Sequence, residues 1–224
     1  SVELFESDTR QSIQKHGRGG DPAHPLPRVI LLPGIGLVAA GPHKRAAESA
    51  AEGYRQVIRV IELAETVDQF RFLEEASAFE CEYWFPELSR LHAAPRDLDG
   101  RCVVFSGAAR GVGRAAALRF VKEGAHVVLA DPDAAALETV RGEVSRAAGD
   151  PLRVLAAEAG RALDLAVRSF GGVDAALFAL PQDPLAESFE RLVQLQGYGR
   201  RLQVPSDGSE QAAVETLLRF AGGV

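Results

Sequence analysis

Apolar runs alternate with helix-length segments over the second half of the chain, and this alternation is the feature that most constrains the fold. The runs predict strands near residues 102–106, 126–130, 152–156, 174–179 and 201–204. The segments between and after them predict helices near residues 112–123, 133–147, 160–170, 185–196 and 209–220. Strands that alternate with helices form parallel sheets through right-handed crossovers. We therefore expect an α/β fold with a small doubly wound parallel sheet of about five strands, in the order 3-2-1-4-5.

The first hundred residues follow a different pattern. Residues 1–27 are polar and rich in Gly, Pro and His, which predicts an irregular arm. Two short apolar runs, 29–32 and 37–40, predict two strands around a Pro-Gly-Ile-Gly turn. An alanine-rich helix is predicted from Pro42 to about Thr66, because apolar residues recur there at helical spacing. A second helical stretch is expected near residues 86–93, followed by a linker.

Composition narrows the classes of protein. The chain has 224 residues, of which 46% are hydrophobic and 25% charged, as in folded globular proteins. The net charge of −6, without a basic cluster interleaved with aromatic residues, argues against a nucleic-acid partner. No apolar run reaches the roughly 20 residues of a membrane span, and the N-terminus does not resemble a signal peptide. We expect a cytoplasmic protein with no membrane partner.

The metal-binding residue types form no recognisable ligand pattern. Cys81 and Cys102 have no Cys or His at a zinc-like spacing, and the five histidines contain no His-x-His pair. We therefore expect no metal site in this chain. It lacks methionine and begins at Ser1, which is consistent with a piece of a longer polypeptide. A truncated chain and a degenerate full-length protein would lack the same catalytic residues, so both interpretations stay open.

A glycine-rich turn connects the first strand of the alternating region to its helix. Gly107, Gly111 and Gly113 lie in this turn, and Asp131 follows 18 residues after Gly113, at the end of the next strand. Glycine lets the backbone approach a pyrophosphate, and the helix start offers N–H groups and a positive dipole end. Asp131 would accept hydrogen bonds from an adenosine ribose and repel a 2′-phosphate. The alternative is a packing turn followed by a helix-capping Asp.

The run from Ser106 to Gly113, Ser-Gly-Ala-Ala-Arg-Gly-Val-Gly, resembles the short-chain dehydrogenase/reductase family. This resemblance covers about residues 98–180 and implies a Rossmann-type sheet with a nicotinamide cofactor. The cofactor-binding residues that it implies are Ser106, Gly107, Ala109, Arg110, Gly111, Val112, Gly113 and Asp131. In that family Arg110 would favour the phosphorylated cofactor and Asp131 would favour NAD. We expect NAD, because the anion at Asp131 would face the discriminating hydroxyl.

The catalytic half of the family pattern is absent from the sequence. The family uses a Tyr as acid/base with a Lys four residues later. The three tyrosines here are each followed, four residues on, by a different residue type: Ile58 after Tyr54, Glu87 after Tyr83 and Leu202 after Tyr198. No lysine occurs beyond Lys122, and residues 178–181 stand where the family has an amide-rich turn. We assign no catalytic residue, and whether the chain is an enzyme stays open.

Residues 26–92 resemble the tail of the class II aldolase part of a bifunctional protein, in which an aldolase is fused to a short-chain dehydrogenase. Rhamnulose 1-phosphate is the substrate usually assigned to that aldolase, so the resemblance implies a role in rhamnose metabolism. The dehydrogenase part would then process lactaldehyde with NAD. The implied partners are a dinucleotide, a small aldehyde, and a fused aldolase domain or further copies of the chain.

These patterns predict an irregular arm at 1–27, an aldolase-tail-like segment at 28–95, which is small α/β or mainly helical, and a dinucleotide-binding domain at 98–224. The favoured function is the NAD-binding part of an oxidoreductase that acts on a small aldehyde or alcohol, inactive as it stands. The alternative function is a catalytically silent nucleotide-binding or scaffolding module.

Overall fold

A computed structural model describes residues 2–16, 27–82, 96–179, 183, 185–203, 214–215 and 218–219. The chain divides into two compact units. The first unit comprises Ser1–Gly41 and Arg45–Ala94, and the second comprises Pro42–Lys44 and Pro95–Val224. In the described ranges, no helix combines the length and the apolar character that crossing a membrane requires.

The first part of the chain contains three helices and a hairpin within its described residues. In chain order they are α1 (Val2–His16), β1 (Val29–Leu32), β2 (Gly36–Ala39), α2 (Lys44–Glu65) and α3 (Glu75–Glu82). The strands β1 and β2 pair antiparallel around a turn in which Gly34 has a φ of 74°. The predicted strands and the predicted long helix are confirmed to within about two residues. The helix predicted near residues 86–93 lies outside the described residues.

The irregular arm predicted for residues 1–27 is wrong for residues 2–16, which form α1. The reason is tertiary contact with α3, a helix that the sequence pattern did not predict. Lys15 Nζ lies 2.6 Å from Glu75 Oε2, and the His16 ring lies 5.8 Å from the Phe79 ring, centroid to centroid. Contacts between segments 60 residues apart leave no local pattern, so a polar helix of this kind reads as a loop.

The second unit is built on a parallel sheet with helices on both faces. Its elements are β3 (Cys102–Ser106), α4 (Gly111–Lys122), β4 (His126–Ala130), α5 (Ala134–Ala148), a 3₁₀ turn (Pro151–Arg153), β5 (Val154–Ala157), α6 (Ala159–Phe170), β6 (Ala175–Phe178), α7 (Leu185–Gln196) and β7 (Arg200–Gln203). The strand order is β5-β4-β3-β6-β7, and all four pairings are parallel. The predicted fold class and strand order are confirmed. Of the helix predicted at 209–220, only residues 214–215 and 218–219 are described, and these are helical.

The central strands are apolar because both of their faces are covered. All residues of β3 and β4 are buried, as expected for parallel strands between two helical layers. Alternate side chains serve opposite faces: Phe105 packs edge-on against Phe120 of α4, with 5.4 Å between ring centroids. Val104 belongs to the core on the other face, which includes Phe189 of α7. This double burial fixes the register of the strands and the level of their ends.

Candidate functional site

The carboxyl ends of three neighbouring strands lie side by side at the same end of the sheet. Ser106, the last residue of β3, is in register with Ala130 at the end of β4 and with Phe178 at the end of β6. The chain leaves β3 and β6 toward opposite sides of the strand order, so a topological switch point lies between them. In open α/β sheets, ligands bind outside the carboxyl ends of the strands at such a point.

The glycine turn after β3 is held against β4 and packs closely under α4. The backbone N–H groups of Gly107 and Ala108 both donate to the Ala130 carbonyl oxygen, at 2.9 and 3.1 Å. A Cβ atom on Gly113 would lie 2.2 Å from the Gly107 oxygen, well inside van der Waals contact. Gly113 is therefore required by the packing of the turn itself, whatever ligand the turn accepts.

Gly111 is required for a different reason. It has a φ of 55°, in the left-handed region, and among the described residues a Cβ atom there would meet nothing within 4 Å beyond its chain neighbours and its own helix. The residue faces open space at the start of α4, and no side chain among the described residues caps this helix. The first N–H groups of a helix have no intrahelical acceptor, and they carry the positive end of the dipole. The turn therefore presents an uncapped, positively polarised surface with room beside it.

Ser106 contributes a buried polar atom to the same end of the sheet. Its side chain is 1% exposed, and its hydroxyl oxygen has no hydrogen-bond partner within the described part of the chain. Most buried hydroxyls are paired, because burying an unpaired one costs about 1 to 3 kcal/mol. The open space at Gly111 has room for the pyrophosphate of a dinucleotide, and Ser106 adds an unpaired buried hydroxyl at the end of the preceding strand.

Asp131, which follows β4, is hydrogen-bonded to the glycine turn. Its Oδ2 accepts a hydrogen bond from the Ala109 backbone N–H at 3.0 Å, and its Oδ1 accepts one from the Asp133 N–H at 2.9 Å. A carboxylate oxygen has two lone pairs, so each oxygen keeps one acceptor site. The carboxylate is thus held in place and can still accept a ribose hydroxyl.

Arg110 and Asp133 form an ion pair across the same two loops. Arg110 Nη2 lies 2.7 Å from Asp133 Oδ2. Asp133 is also the N-cap of α5, since its Oδ1 accepts from the Ala136 N–H at 3.0 Å. Sequence reasoning missed Asp133 as a site residue. Its signal was an Asp directly before an alanine-rich helix, which predicts a cap but not an arginine partner.

The nicotinamide side of the predicted site has an aromatic surface. The Phe178 ring at the end of β6 lies 5.7 Å from the Phe189 ring, and Arg201 Cζ lies 5.1 Å from the Phe178 centroid. An aromatic residue therefore stands where the dehydrogenase resemblance led us to look for an amide-rich turn. Leu180 and Pro181, which belong to the same predicted turn, lie outside the described residues.

Tyr198 lies at the amino end of the strands, whereas the glycine turn lies at their carboxyl end. It precedes β7, so it stands at the amino end of that strand, and its hydroxyl would lie 2.1 Å from a Cβ on Gly172. Burial, with Asp174 as the next contributor, raises the pKa of the Tyr198 hydroxyl. A cavity of about 350 Å³ at this end of the strands is lined by Gly100, Arg101, Phe170, Gly171, Gly172, Asp174 and Tyr198. Tyr198 is thus separated from the predicted cofactor site by the length of the strands.

Comparison with protein-family models gives two consecutive matches. Residues 3–91 match the second domain of class II aldolases, and residues 101–175 match the short chain dehydrogenases. The chain thus matches a class II aldolase domain and then a short-chain dehydrogenase, in that order, and both resemblances are confirmed as similarities. Members of the short-chain dehydrogenase family bind nicotinamide dinucleotides. The aldolase match starts at residue 3, ahead of residue 28, where we placed the start of that segment.

Individual relatives also match parts of the chain. The uncharacterized oxidoreductase YuxG of Bacillus subtilis (strain 168) is 32% identical over 184 residues, 77% of this chain and 27% of the relative. The putative daunorubicin C-13 ketoreductase DnrU of Streptomyces sp. (strain C5) is 49% identical over 59 residues, 26% of this chain and 21% of that protein. The chain therefore spans about a quarter of the length of these relatives.

Solved structures of a reductase and of a dehydrogenase align with part of the chain. L-Sorbose reductase from Gluconobacter frateurii, solved with NADPH and L-sorbose, is 19% identical, with a TM-score of 0.42 over 56% of this chain and 63% of that protein. Hydroxysteroid dehydrogenase from Escherichia coli is 24% identical, with a TM-score of 0.39 over 55% of this chain and 63% of that protein.

Proposed function

We propose that the second unit binds a nicotinamide dinucleotide at the glycine turn and prefers NAD to its 2′-phosphorylated form. The observation that carries this proposal is the open, uncapped space at Gly111, bordered by a carboxylate that the turn itself holds in place. A packing turn with a capping Asp, the alternative interpretation, would need neither the open space nor the bond from Ala109 to Asp131.

Each residue has a distinct role in this proposal. The N–H groups at Gly111, Val112 and Gly113 would bind the pyrophosphate, because α4 begins there and its N-cap residue in the described structure makes no side-chain bond to them. Asp131 would accept hydrogen bonds from the adenosine ribose. Gly107 and Gly113 shape the turn, and Ser106 supplies the buried hydroxyl beneath it. When bound, the nicotinamide ring supplies the chemistry of accepting or giving a hydride.

The preference for NAD follows from charge. A 2′-phosphate would be placed beside the Asp131 carboxylate, whereas a 2′-hydroxyl could donate a hydrogen bond to it. Like charges at short range oppose each other most where water is partly excluded, and Asp131 is half-buried. NAD should therefore bind more tightly than the phosphorylated form.

We further propose that the parent activity is oxidation or reduction of a small aldehyde or alcohol, with lactaldehyde as the first candidate, and that this chain alone catalyses no hydride transfer. Of the described residues in the second unit, Tyr198 is the one tyrosine. It lies at the amino end of the strands, away from the predicted cofactor site at their carboxyl end. The same observation favours a second function, a silent nucleotide-binding or scaffolding module beside an aldolase. The domain boundaries, the cytoplasmic location, self-association and the link to rhamnulose 1-phosphate stay predictions.

Calorimetric titration of NAD into the chain tests the binding proposal, with Gly111→Val as the disruptive variant. Valine at a φ of 55° is strained by about 1 to 2 kcal/mol, and its side chain would fill the open space. Gly149→Val is a matched control, because Gly149 ends α5 at a φ of 68° and likewise has no atom within 4 Å of its Cβ position. NAD should bind the parent and the control but not Gly111→Val. Equal binding by all three would refute the assignment of the site.

A further inference from the structure

Two carboxylates, those of Asp131 and Asp133, follow β4 and have different hydrogen-bond partners. Asp131 faces the glycine turn, where it accepts from the Ala109 N–H. Asp133 divides its oxygens: Oδ1 caps α5 through the Ala136 N–H, and Oδ2 pairs with Arg110 Nη2 at 2.7 Å. The cap fixes the Asp133 side chain, so the position of its second oxygen is set independently of Arg110. The arginine is therefore drawn to a carboxylate that is already in place.

Arg110 is a cation at the glycine turn that could change the cofactor preference. It immediately precedes Gly111, and a guanidinium is permanently charged and forms paired hydrogen bonds with phosphate oxygens. An Arg at this point would therefore favour a 2′-phosphate, in opposition to Asp131. In the structure its guanidinium is occupied by Asp133.

We propose that Asp133 is a specificity-determining residue, which holds Arg110 as a counter-ion and so withholds it from a 2′-phosphate. This inference rests on the proposed binding of a dinucleotide at the glycine turn. Asp133 acts through Arg110 and needs no contact with the cofactor, so it is a positioning residue, whereas Asp131 acts on the ribose directly.

The exposure of the pair sets the size of the expected effect. The side chains of Arg110 and Asp133 are 75% and 44% exposed. Ion pairs this exposed typically shift an equilibrium by up to about fivefold. Releasing Arg110 should therefore tighten NADP binding by about two- to fivefold at low salt. Because Asp131 remains beside the 2′-position, the variant should still prefer NAD, by a smaller ratio.

Asp133→Asn is the direct test, since Asn caps helices as well as Asp but carries no charge. Dissociation constants for NAD and NADP are measured by calorimetry for the parent, Asp133→Asn, Arg110→Gln and the double variant. We expect Asp133→Asn to tighten NADP by about two- to fivefold and to leave NAD unchanged, and this gain to vanish in the double variant. Asp133→Ser, which also retains a cap, provides a second variant should Asn disturb the fold.

Glu138→Gln is the matched control. It releases Arg141 from an exposed pair on the same helix, with 2.8 Å between Arg141 Nε and Glu138 Oε2, and it should leave both cofactors unaffected. NADP binding that stays at the parent value in Asp133→Asn and Asp133→Ser, with NAD still bound, would overturn this inference alone. A gain that persists in the double variant would also overturn it, because Asp133 would then act without Arg110. A parent that binds neither cofactor would refute the proposed function, and the inference with it.

Discussion

The backbone N–H of Ala109 donates a hydrogen bond to Oδ2 of Asp131 at 3.0 Å, so the glycine turn is tied to the carboxylate predicted to face the adenosine ribose. These residues are 22 positions apart in the chain. The bond orients the carboxylate before any ligand arrives, which reduces the ordering that binding would require. It also means that removing Asp131 changes the turn as well as the charge.

Two variants separate these effects at Asp131. Asp131→Asn keeps one oxygen that can accept from the Ala109 N–H, but it removes the charge and puts an NH₂ group in place of the second acceptor oxygen. Asp131→Ala removes the charge and both acceptor oxygens. We expect the preference for NAD over NADP to narrow by about tenfold in both variants, because one charge beside a phosphate is typically worth about 1 to 3 kcal/mol. Asp131→Ala should weaken NAD more than Asp131→Asn does, because Asn retains one acceptor oxygen and Ala retains none. Calorimetric dissociation constants check this, and an Asn variant with the parent's preference would show that the charge is not the cause.

Gly113→Ala should destabilise the second unit. The new Cβ would lie 2.2 Å from the Gly107 oxygen, which belongs to backbone and cannot move aside like a side-chain tip. We expect the free energy of unfolding in urea to fall by about 1 to 3 kcal/mol. Gly142→Ala within α5 is the control. Among the described residues outside its own helix, no atom lies within 4 Å of its Cβ position, so the free energy of unfolding should rise by up to about 1 kcal/mol. Equal stability of the two variants would contradict the packing described for the turn.

Stability should decrease in mild acid because of His126. Its side chain is 3% exposed, its Nε2 accepts from the Lys44 N–H at 3.0 Å, and its ring lies 4.7 Å from the Phe170 ring. Burial, reinforced by Arg153 and His43, lowers the pKa of His126 from 6.5 to about 4, against the opposing charges of Asp150 and Asp99.

The unfolded chain therefore binds a proton at His126 that the folded chain does not, between pH 6.5 and about 4. The contribution of neutral His126 to the free energy of unfolding is therefore fully present above pH 6.5 and is lost as the pH falls toward 4. From pH 7 to pH 5 the loss should reach about 2 kcal/mol. Urea unfolding of the parent and of His126→Gln at both pH values measures it. The variant should lose about 2 kcal/mol less, and parallel losses would assign the effect to other groups.

Tyr198 should have no part in catalysis. We expect no hydride transfer above background from the chain with NAD and lactaldehyde, or with other short aldehydes and alcohols, and no difference in Tyr198→Phe. General acid/base groups are typically worth about 10²- to 10⁴-fold in rate, so their absence should be plain. Absorbance of reduced NAD follows the reaction. Turnover by the parent that disappears in Tyr198→Phe would restore the reading of a working dehydrogenase.

Sequence reasoning found the sheet because its strands are buried on both faces. Four of the five residues of β3 and four of the five of β4 form continuous apolar runs. The turn between β3 and α4 is marked by glycines, of which Gly107 and Gly111 have conformations that other residues rarely adopt. Such signals are local, so strand order and the level of the strand ends followed from the rules for crossover connections.

The features that sequence reasoning missed depend on contacts between distant residues. Helix α1 contacts α3 through Lys15 and Glu75, and Arg110 meets Asp133 23 positions later. Neither pair leaves a periodic pattern, since each residue alone reads as an ordinary surface charge or helix cap. The position of Tyr198 could be predicted from the sequence, because a residue just before a parallel strand lies at the amino end of the strands.

Backbone amide chemical shifts, followed by NMR during titration with NAD, locate the bound dinucleotide directly. The glycine turn should show the largest shifts, at Gly107, Ala109, Gly111, Val112 and Gly113, with smaller ones at Asp131 and Asp133. The chemical shifts of the Gly172 and Tyr198 amides, at the amino end of the strands, should not change. Shifts confined to that amino end, or no shift at the glycine turn at saturating NAD, would contradict the assignment of this turn as the cofactor site.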